Sequence, residues 1–208
     1  MDNKWSLKFN THSREDVMQV CKLLAKAIGE DAIAEKRLDI SIVGSVRCGK
    51  SAISDGITAA YSDAHNIHRL PHTPLIESAS GEALMRRSSK TFPVSDNARV
   101  FTLIHYINEM DKDHDRHRAG RNNKPDQGGI DFITMCGHEP YRKGDVSISF
   151  NHNLRCSYGL WARKWEVIVR DEKLKTPQMS ETLDHLRSFH ERRNARLTEQ
   201  GHNDVSLW

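Results

Sequence analysis

One eight-residue segment constrains the fold of this chain more than any other feature. It reads Gly44-Ser45-Val46-Arg47-Cys48-Gly49-Lys50-Ser51 and fits the pattern G-x-x-x-x-G-K-[ST]. The apolar run 38–43 directly before it predicts a strand, and 51–61 directly after it predicts a helix. A glycine-rich turn between a buried strand and a helix N-terminus is typical of polyphosphate binding. The alternative, a fortuitous glycine turn, is disfavoured by this strand and helix.

The residue types of this segment, the phosphate loop, follow from the chemistry of a bound polyphosphate. Gly44 and Gly49 permit backbone angles and close approaches that a Cβ atom would block. Lys50 is predicted to neutralise the β- and γ-phosphates, and the Ser51 hydroxyl to complete the coordination of Mg²⁺. The sequence therefore predicts a site for ATP and Mg²⁺. Its expected binding residues are Gly44, Ser45, Val46, Arg47, Cys48, Gly49, Lys50, Ser51 and Ala52.

Hydrophobic periodicity predicts an α/β fold of the P-loop nucleotide-binding type. Ser13 is expected to cap a helix that ends at Gly29. We expect a central, mostly parallel sheet flanked by helices, with antiparallel strands on the C-terminal side. Segments 146–154 and 162–169 are expected to pair antiparallel, because their connection is too short for a parallel crossover. The predicted strands are 38–43, 100–104, 130–135, 146–150 and 165–169.

The chain divides into two unequal parts. Residues 1–176 are predicted to form the phosphate-binding domain, followed by a C-terminal helix and tail over 177–208. That helix is expected to fray through 191–196, where its apolar stripe ends. The segment 109–129 is dense in charge, Asn and Gly, which favours a mobile insertion over a part of the core.

Composition excludes several classes of protein. Lys and Arg number 31 against 28 Asp and Glu, so a formal net charge of +3 gives no indication of direct nucleic-acid binding. No apolar run reaches the roughly 18–20 residues that cross a bilayer, and no secretory signal opens the chain. The 4 cysteines form no C-x-x-C pair, which favours free thiols in a reducing compartment. We therefore expect a cytoplasmic protein without a membrane partner.

A catalytic carboxylate is not clearly indicated. In nucleotide hydrolases such a group normally follows a neighbouring strand and holds Mg²⁺ directly or through water. Each acid near the predicted strands, or on the helix after the phosphate loop, is more simply interpreted as a solvated surface carboxylate. The candidates are Asp55, Glu109, Asp111, Asp131 and Glu139.

Several sequence features together resemble one known family. A capped helix precedes the first predicted strand and the phosphate loop, and Ser88-Ser89-Lys90-Thr91-Phe92 is similar to a Ser-Pro-Thr-Phe segment of that family. Residues 100–106 stand where the family has a His-x-Asp-x-Tyr strand, and residues 129–135 match the strand that follows. The chain thus resembles, over roughly residues 11–170, TsaE, the small bacterial P-loop ATPase of tRNA threonylcarbamoyladenosine biosynthesis.

The resemblance implies an ATP- and Mg²⁺-dependent ATPase that assists protein partners in a tRNA-modifying complex. It implies that Lys50 and Thr91 are catalytic and that Ser51 is a metal ligand. Where the family has carboxylates, this sequence has Ile104 and Thr134. We therefore expect hydrolysis to be weak in the isolated chain and to be stimulated by a partner.

Two other functions fit parts of the sequence. A P-loop small-molecule kinase would use arginines at 86–87 and 116–121 as a phosphate clamp, although interleaved Asp and His favour a solvated loop there. A nucleotide-binding interaction module without turnover would explain the missing carboxylate. Phosphate release without an acceptor distinguishes an ATPase from both.

Overall fold

A sheet of parallel and antiparallel strands, with helices packed against it, forms the fold. A computed structural model describes residues 4–35, 37–45, 48–62, 67–69, 99–106, 128–136, 144–152 and 163–199. The elements are β1 (Ser6–Thr11), α1 (Arg14–Ile28), α2 (Glu30–Glu35), β2 (Arg37–Gly44), α3 (Lys50–Ser62), β3 (Ile67–Arg69), β4 (Arg99–Tyr106), β5 (Gly129–Cys136), β6 (Val146–His152), β7 (Arg163–Val169), a 3-10 helix (Glu172–Leu174) and α4 (Pro177–Glu199).

The strand order in the sheet is β1-β7-β6-β2-β5-β4-β3. Strand β2 pairs in parallel with β5 and β6, and β4 pairs in parallel with β5 and β3. Strand β7 is antiparallel to both β6 and β1. The predicted α/β class is confirmed, and so is the antiparallel pairing of the two late strands.

The centre of the sheet is buried on both faces. Strand β2 is buried over all but its first residue and β5 over all but its last, as parallel strands covered on both sides should be. Because successive side chains of a strand point to opposite faces, Ile40 and Ile42 join the main core while Val43, Ile133 and Met135 form a smaller cluster. The phosphate loop therefore follows one of the most buried strands of the sheet.

Helix α1 begins at the predicted cap. The Ser13 hydroxyl accepts a hydrogen bond from the Asp16 amide at 3.1 Å, and the Asp16 carboxylate accepts one from the Ser13 amide at 3.1 Å. This reciprocal capping box satisfies two amides of the first turn. The helix ends where the Gly29 amide donates to the Ala25 carbonyl at 3.1 Å. The predicted helix is confirmed, and its apolar stripe packs against α3 and α4.

Strand β1 was not predicted from the sequence. Its local signal is weak, because only Leu7 and Phe9 alternate with polar residues. Contacts with a distant strand define it instead: Phe9 stacks on Trp165 with ring centroids 5.5 Å apart, and the Trp165 indole donates to the Thr11 hydroxyl at 2.9 Å. The short elements α2 and β3 were likewise not predicted.

The expected fraying of the C-terminal helix over 191–196 is wrong, because α4 continues to Glu199. Beyond the apolar stripe, Glu, Arg and Ala have good helix propensity, and propagating a helix is easier than starting one. The side chains of His190 and Asn194 also contact each other at 2.8 Å across one turn. Three buried side chains fix the first turns in the core: Met179, Leu183 and Leu186.

Most of the predicted insertion 109–129 lies outside the described residues, which resume at position 128. The last residue of that segment, Gly129, begins β5. None of the helices in the described residues is long and apolar enough to cross a bilayer.

His190 is a buried histidine at the contact between α4 and β1. Its Nδ1 accepts a hydrogen bond from the backbone amide of Asn10 at 3.2 Å, which requires a neutral ring, and its Nε2 contacts the Asn194 side chain at 2.8 Å. Burial lowers the pKa of His190. Protonation therefore favours the unfolded chain, in which a histidine has a pKa of about 6.5.

We expect the folded state to lose stability as the pH falls from 7.5 through 6.5 to 5.5. The contribution of neutral His190 to the free energy of unfolding is fully present above the pKa that histidine has in the unfolded chain. About 1 kcal/mol of it is lost by pH 5.5. In His190→Gln the difference in the free energy of unfolding between pH 7.5 and pH 5.5 should shrink by that amount. The exposed His185 of the same helix provides the control, since His185→Gln should keep the full difference. Equal pH dependence in the two variants would contradict the prediction.

Candidate functional site

The candidate site is the connection between β2 and α3. Strand β2 ends at Gly44 and α3 begins at Lys50, so the predicted order of strand, loop and helix is confirmed. The connection leaves the carboxyl end of a central parallel strand, where open α/β sheets bind ligands. The structure describes Ser45, Cys48 and Gly49 of this connection, whereas Val46 and Arg47 lie outside the described residues.

Both glycines of the phosphate loop are required by the backbone. A Cβ atom on Gly44 would lie 2.1 Å from the Phe150 carbonyl oxygen and 2.7 Å from the Cys48 Sγ. Neither a strand backbone nor a buried sulfur can give way by that much, so only glycine fits. Gly49 has a φ of +102°, which side-chain-bearing residues rarely adopt. The loop can therefore turn tightly against β6 before α3 begins.

Lys50 lies across its own loop. Its ammonium group donates hydrogen bonds to the Gly44 carbonyl at 3.0 Å and to the Ser45 carbonyl at 2.7 Å. The side chain is half-buried at the first residue of α3, where the helix dipole adds further positive potential. The loop thus holds a fixed cation at a helix N-terminus, an arrangement that suits a phosphate group.

Two residues of the antiparallel pair contact the loop from the side. The Asn151 Oδ1 of β6 accepts a hydrogen bond from the Ser45 amide at 2.7 Å, and the Arg163 Nε of β7 donates to the Cys48 carbonyl at 2.9 Å. Sequence reasoning missed both, because they lie 106 and 115 residues from their partners. The predicted pairing of β6 with β7 is the signal that could have brought them together.

The charges around Cys48 are largely screened from water. Arg163 is buried, and its guanidinium carbon lies 5.7 Å from the centre of the Phe150 ring. Burial lowers the pKa of the Arg163 guanidinium, which the nearby Cys48 partly opposes. Burial raises the pKa of the Cys48 thiol, and the Lys50 ammonium opposes that shift. The thiol therefore stays neutral at ordinary pH, and the two cations give the loop its positive charge.

The remaining predicted site residues divide into two groups. Ser51 and Ala52 are half-buried in the first turn of α3, and the Ser54 hydroxyl donates to the Ser51 carbonyl at 2.8 Å. This position suits the proposed metal ligand, whose role stays a prediction. Thr91, the predicted catalytic residue, lies outside the described residues.

Asp131 is not at the site, and its interpretation as a surface carboxylate is wrong. It pairs in register with Asp39 of β2, whereas Gly44 pairs with Cys136 at the other end of the same two strands. The two pairs are five residues apart along the strands, a distance of about 16 Å. It is buried and forms an ion pair with Arg37, whose Nη2 lies 2.9 Å from its Oδ1. Asp131 therefore stabilises the fold and cannot replace a carboxylate at the loop.

The other candidate acids give a mixed outcome. Asp55 is exposed on α3, as expected, and Glu109, Asp111 and Glu139 lie outside the described residues. Within the described chain, the last three residues of β4, β5 and β6 include no Asp or Glu. Among all the residues that the structure describes, no group of three or more His, Cys, Asp or Glu is placed to hold a metal ion.

A groove of about 1050 Å³ lies away from this loop, among α1, α2, α3 and the 3-10 helix. Lys22, Lys26, Tyr61 and Lys173 are among its lining residues, and no residue of 44–52 is. It is therefore not part of the candidate site.

Comparison with known proteins gives weak similarities. No family model and no curated protein sequence matches this chain. The structure matches the crystal structure of YdiB from Bacillus subtilis, with a TM-score of 0.43 and 14% identity over 91% of this chain and 96% of that one. It also matches an aromatic amino acid aminotransferase from Burkholderia cenocepacia, with a TM-score of 0.37 and 13% identity over 89% of this chain and 48% of that one. Values this low carry no argument about activity.

Proposed function

We propose that this chain is an ATP- and Mg²⁺-binding P-loop protein that hydrolyses ATP slowly and acts as a TsaE-like accessory factor in tRNA threonylcarbamoyladenosine modification. The observation that carries the proposal is the loop between β2 and α3. Gly44 packs against the Phe150 carbonyl there, and the Lys50 ammonium lies over the loop carbonyls at a helix N-terminus. Tight backbone packing combined with a fixed cation suits a polyphosphate better than an uncharged ligand.

The residues present fit this ligand. Lys50 would neutralise the outer phosphates, and the first amides of α3 would donate to phosphate oxygens. The Ser51 hydroxyl would be a protein ligand to Mg²⁺, which reduces the repulsion between phosphate oxygens when bound. Asn151 and Arg163 bind the Ser45 amide and the Cys48 carbonyl, and so hold the loop in position before any ligand arrives. The site is in this sense preorganised.

The proposed role with partners rests on the sequence resemblance. Thr91, within 88–92, would act with Lys50 on the transferring phosphoryl group, and ATP binding and hydrolysis would change the state of a partner complex. Hydrolysis transfers the γ-phosphoryl group to water, which requires a group that orients the water and charges that stabilise the transition state. The strand ends described above supply no acid for this, so a partner that completes the site fits the observation.

The test is phosphate release from ATP by the purified chain, with and without candidate partner proteins. We expect release by the isolated chain to be at least about a hundredfold slower than in the presence of the correct partner, because a missing water-orienting or charge-stabilising group costs orders of magnitude in rate. Lys50→Ala supplies the background rate. Fast release by the isolated chain would contradict the prediction and would mean that a complete active site is already present.

A binding module without turnover is the second candidate. The observation that favours it is the lack of an acid in the last three residues of β4, β5 and β6. ATP binding that persists while no partner produces phosphate release would establish it. The small-molecule kinase has no such support, since the arginines at 86–87 and 116–121 lie outside the described residues.

Ser51→Ala tests the metal ligand. We expect the variant to lose about tenfold in ATP affinity in the presence of Mg²⁺ and little in EDTA, because only the metal-bound ligand uses the hydroxyl. Titration calorimetry in the two buffers measures both affinities, and the EDTA titration is the internal control. Equal losses in both buffers would show that Ser51 serves only to start α3.

A further inference from the structure

Two cysteines lie close to the Lys50 ammonium group. Cys136 is the last residue of β5 and pairs in register with Gly44. The Cys48 Sγ lies beside Gly44, 2.7 Å from the position that a Cβ atom on Gly44 would take. The Lys50 Nζ is 3.6 Å from the Cys136 Sγ and 4.0 Å from the Cys48 Sγ. Both thiols thus share one cation at the phosphate loop.

The two thiols differ in access to solvent. Cys48 is fully buried, whereas Cys136 is half-buried. An oxidant dissolved in water therefore reaches Cys136 first. Cys48, which contacts the same ammonium group, would then serve as a resolving cysteine of the kind found beside oxidation-sensitive thiols.

We propose that Cys48 and Cys136 form a peroxide-sensitive modification site, and that a disulfide between them switches off ATP binding by the phosphate loop. The inference rests on the proposed function for its consequence, but the disulfide itself does not require that function. It assigns a regulatory input to two thiol groups, whose side chains the proposed ATP binding does not use.

The chemistry requires one peroxide as the oxidant. In the first step the Cys136 sulfur attacks hydrogen peroxide: an S–O bond forms, the O–O bond breaks, and water leaves, so that the thiol becomes a sulfenic acid. In the second step the Cys48 sulfur attacks that sulfur, an S–S bond forms, and the S–O bond breaks. The leaving hydroxide takes the proton of Cys48 and departs as a second water. Two thiols have then lost two electrons to one peroxide.

The two sulfurs are near neighbours, since both lie within 4.0 Å of the Lys50 Nζ. A disulfide further needs the two cysteine Cα atoms to be roughly 4.4–6.8 Å apart. The side chain of Cys48 already packs beside Gly44, the direct neighbour of Cys136. Bond formation therefore requires a movement of the loop that carries Cys48 toward β5.

The bond would disturb Lys50 through the chain. Drawing Cys48 toward β5 would move the backbone two residues before Lys50, whose ammonium group contacts both sulfurs and donates to the Gly44 and Ser45 carbonyls. The loop would then be tethered to β5 through Cys48, with this ammonium group out of position. Losing a correctly placed charged donor should lower ATP affinity at least about tenfold.

The experiment uses the full chain carrying Cys156→Ser, which removes a cysteine outside the described residues. ATP affinity is measured on reduced protein, after hydrogen peroxide treatment, and after subsequent dithiothreitol. Peptide mass mapping tests for a Cys48–Cys136 link. Cys136→Ser, with Cys136→Ala as a second choice if it does not fold, should abolish the response to peroxide. Cys21→Ser should keep the response to peroxide. Cys21 is buried on α1, where its thiol contacts the Ile53 carbonyl of α3, and burial raises its pKa to about 12.

We expect a linked peptide, an affinity loss of at least about tenfold, and recovery with dithiothreitol. A reduced chain that binds ATP and then shows neither link nor affinity loss would overturn the inference, and so would a link without loss of affinity. A reduced chain that does not bind ATP would overturn the proposed function instead, while the peptide map would still decide whether the two cysteines react as a pair.

Discussion

Lys50→Ala is expected to abolish ATP binding and to leave the fold intact. The ammonium group lies 3.0 Å from the Gly44 carbonyl and 2.7 Å from the Ser45 carbonyl, at the N-terminus of α3. A phosphate bound there would exchange these neutral acceptors for charged ones. Charge-assisted hydrogen bonds are roughly twice as strong as neutral ones, so removing this donor should cost at least about a hundredfold in affinity.

The fold should tolerate the change because Lys50 contributes little to the core. Its side chain is half-buried and its partners are loop carbonyls, so we expect the free energy of unfolding to change by less than about 1 kcal/mol. Calorimetric titration with ATP and a denaturant melt measure the two quantities. Lys22→Ala, on the exposed face of α1, is the matched control and should bind ATP like the parent chain. Unchanged ATP affinity in Lys50→Ala would refute the phosphate-loop assignment.

The elements that could be predicted are those with local signals. Helix α1 follows from a capping serine and an apolar stripe within fifteen residues, and the order of β2, loop and α3 follows from one contiguous segment. In each case the residues that define the element are neighbours in the chain. Propensity and periodicity are sufficient there, because tertiary contacts agree with the local preference.

Residues whose role depends on distant pairing could not be predicted. Asn151 and Arg163 contact the loop only because β6 and β7 pair antiparallel beside β2. Strand β1 forms because Phe9 stacks on Trp165. No local pattern contains these contacts, and single-sequence periodicity cannot supply them. The roles of Thr91, Val46 and Arg47 stay predictions for a different reason, since the described residues do not include them.

Asp131 is a further residue whose role depends on a distant partner, and here the sequence led to a wrong prediction. An acid within an apolar run is usually exposed, because burying an unpaired charge is costly. Here the cost is offset by Arg37, which lies 94 residues earlier in the chain and donates from Nε at 2.9 Å. The register of β2 with β5 brings the pair together. It also places the pair at the end of these strands opposite the phosphate loop.

Arg37→Met is accordingly expected to lower the free energy of unfolding by about 3–5 kcal/mol, because it removes the Arg37 guanidinium from a buried carboxylate. The two side chains are 7% and 2% exposed, so water cannot replace the lost partner. ATP affinity of the folded fraction should stay at the parent value, since the pair is far from the loop. Chemical denaturation, with ATP titration under native conditions, separates the two effects.

Two further variants show whether burial of the charge is the cause. Arg187→Met removes an arginine from an exposed pair with Asp184, in which the side chains are 42% and 64% exposed, and should cost no more than about 1 kcal/mol. The double variant Arg37→Met/Asp131→Leu removes both charges and should recover most of the stability lost in Arg37→Met, because two apolar side chains need no partner in this core. An Arg37→Met variant no less stable than Arg187→Met, or a double variant no more stable than Arg37→Met, would show that the pair does not hold β2 against β5.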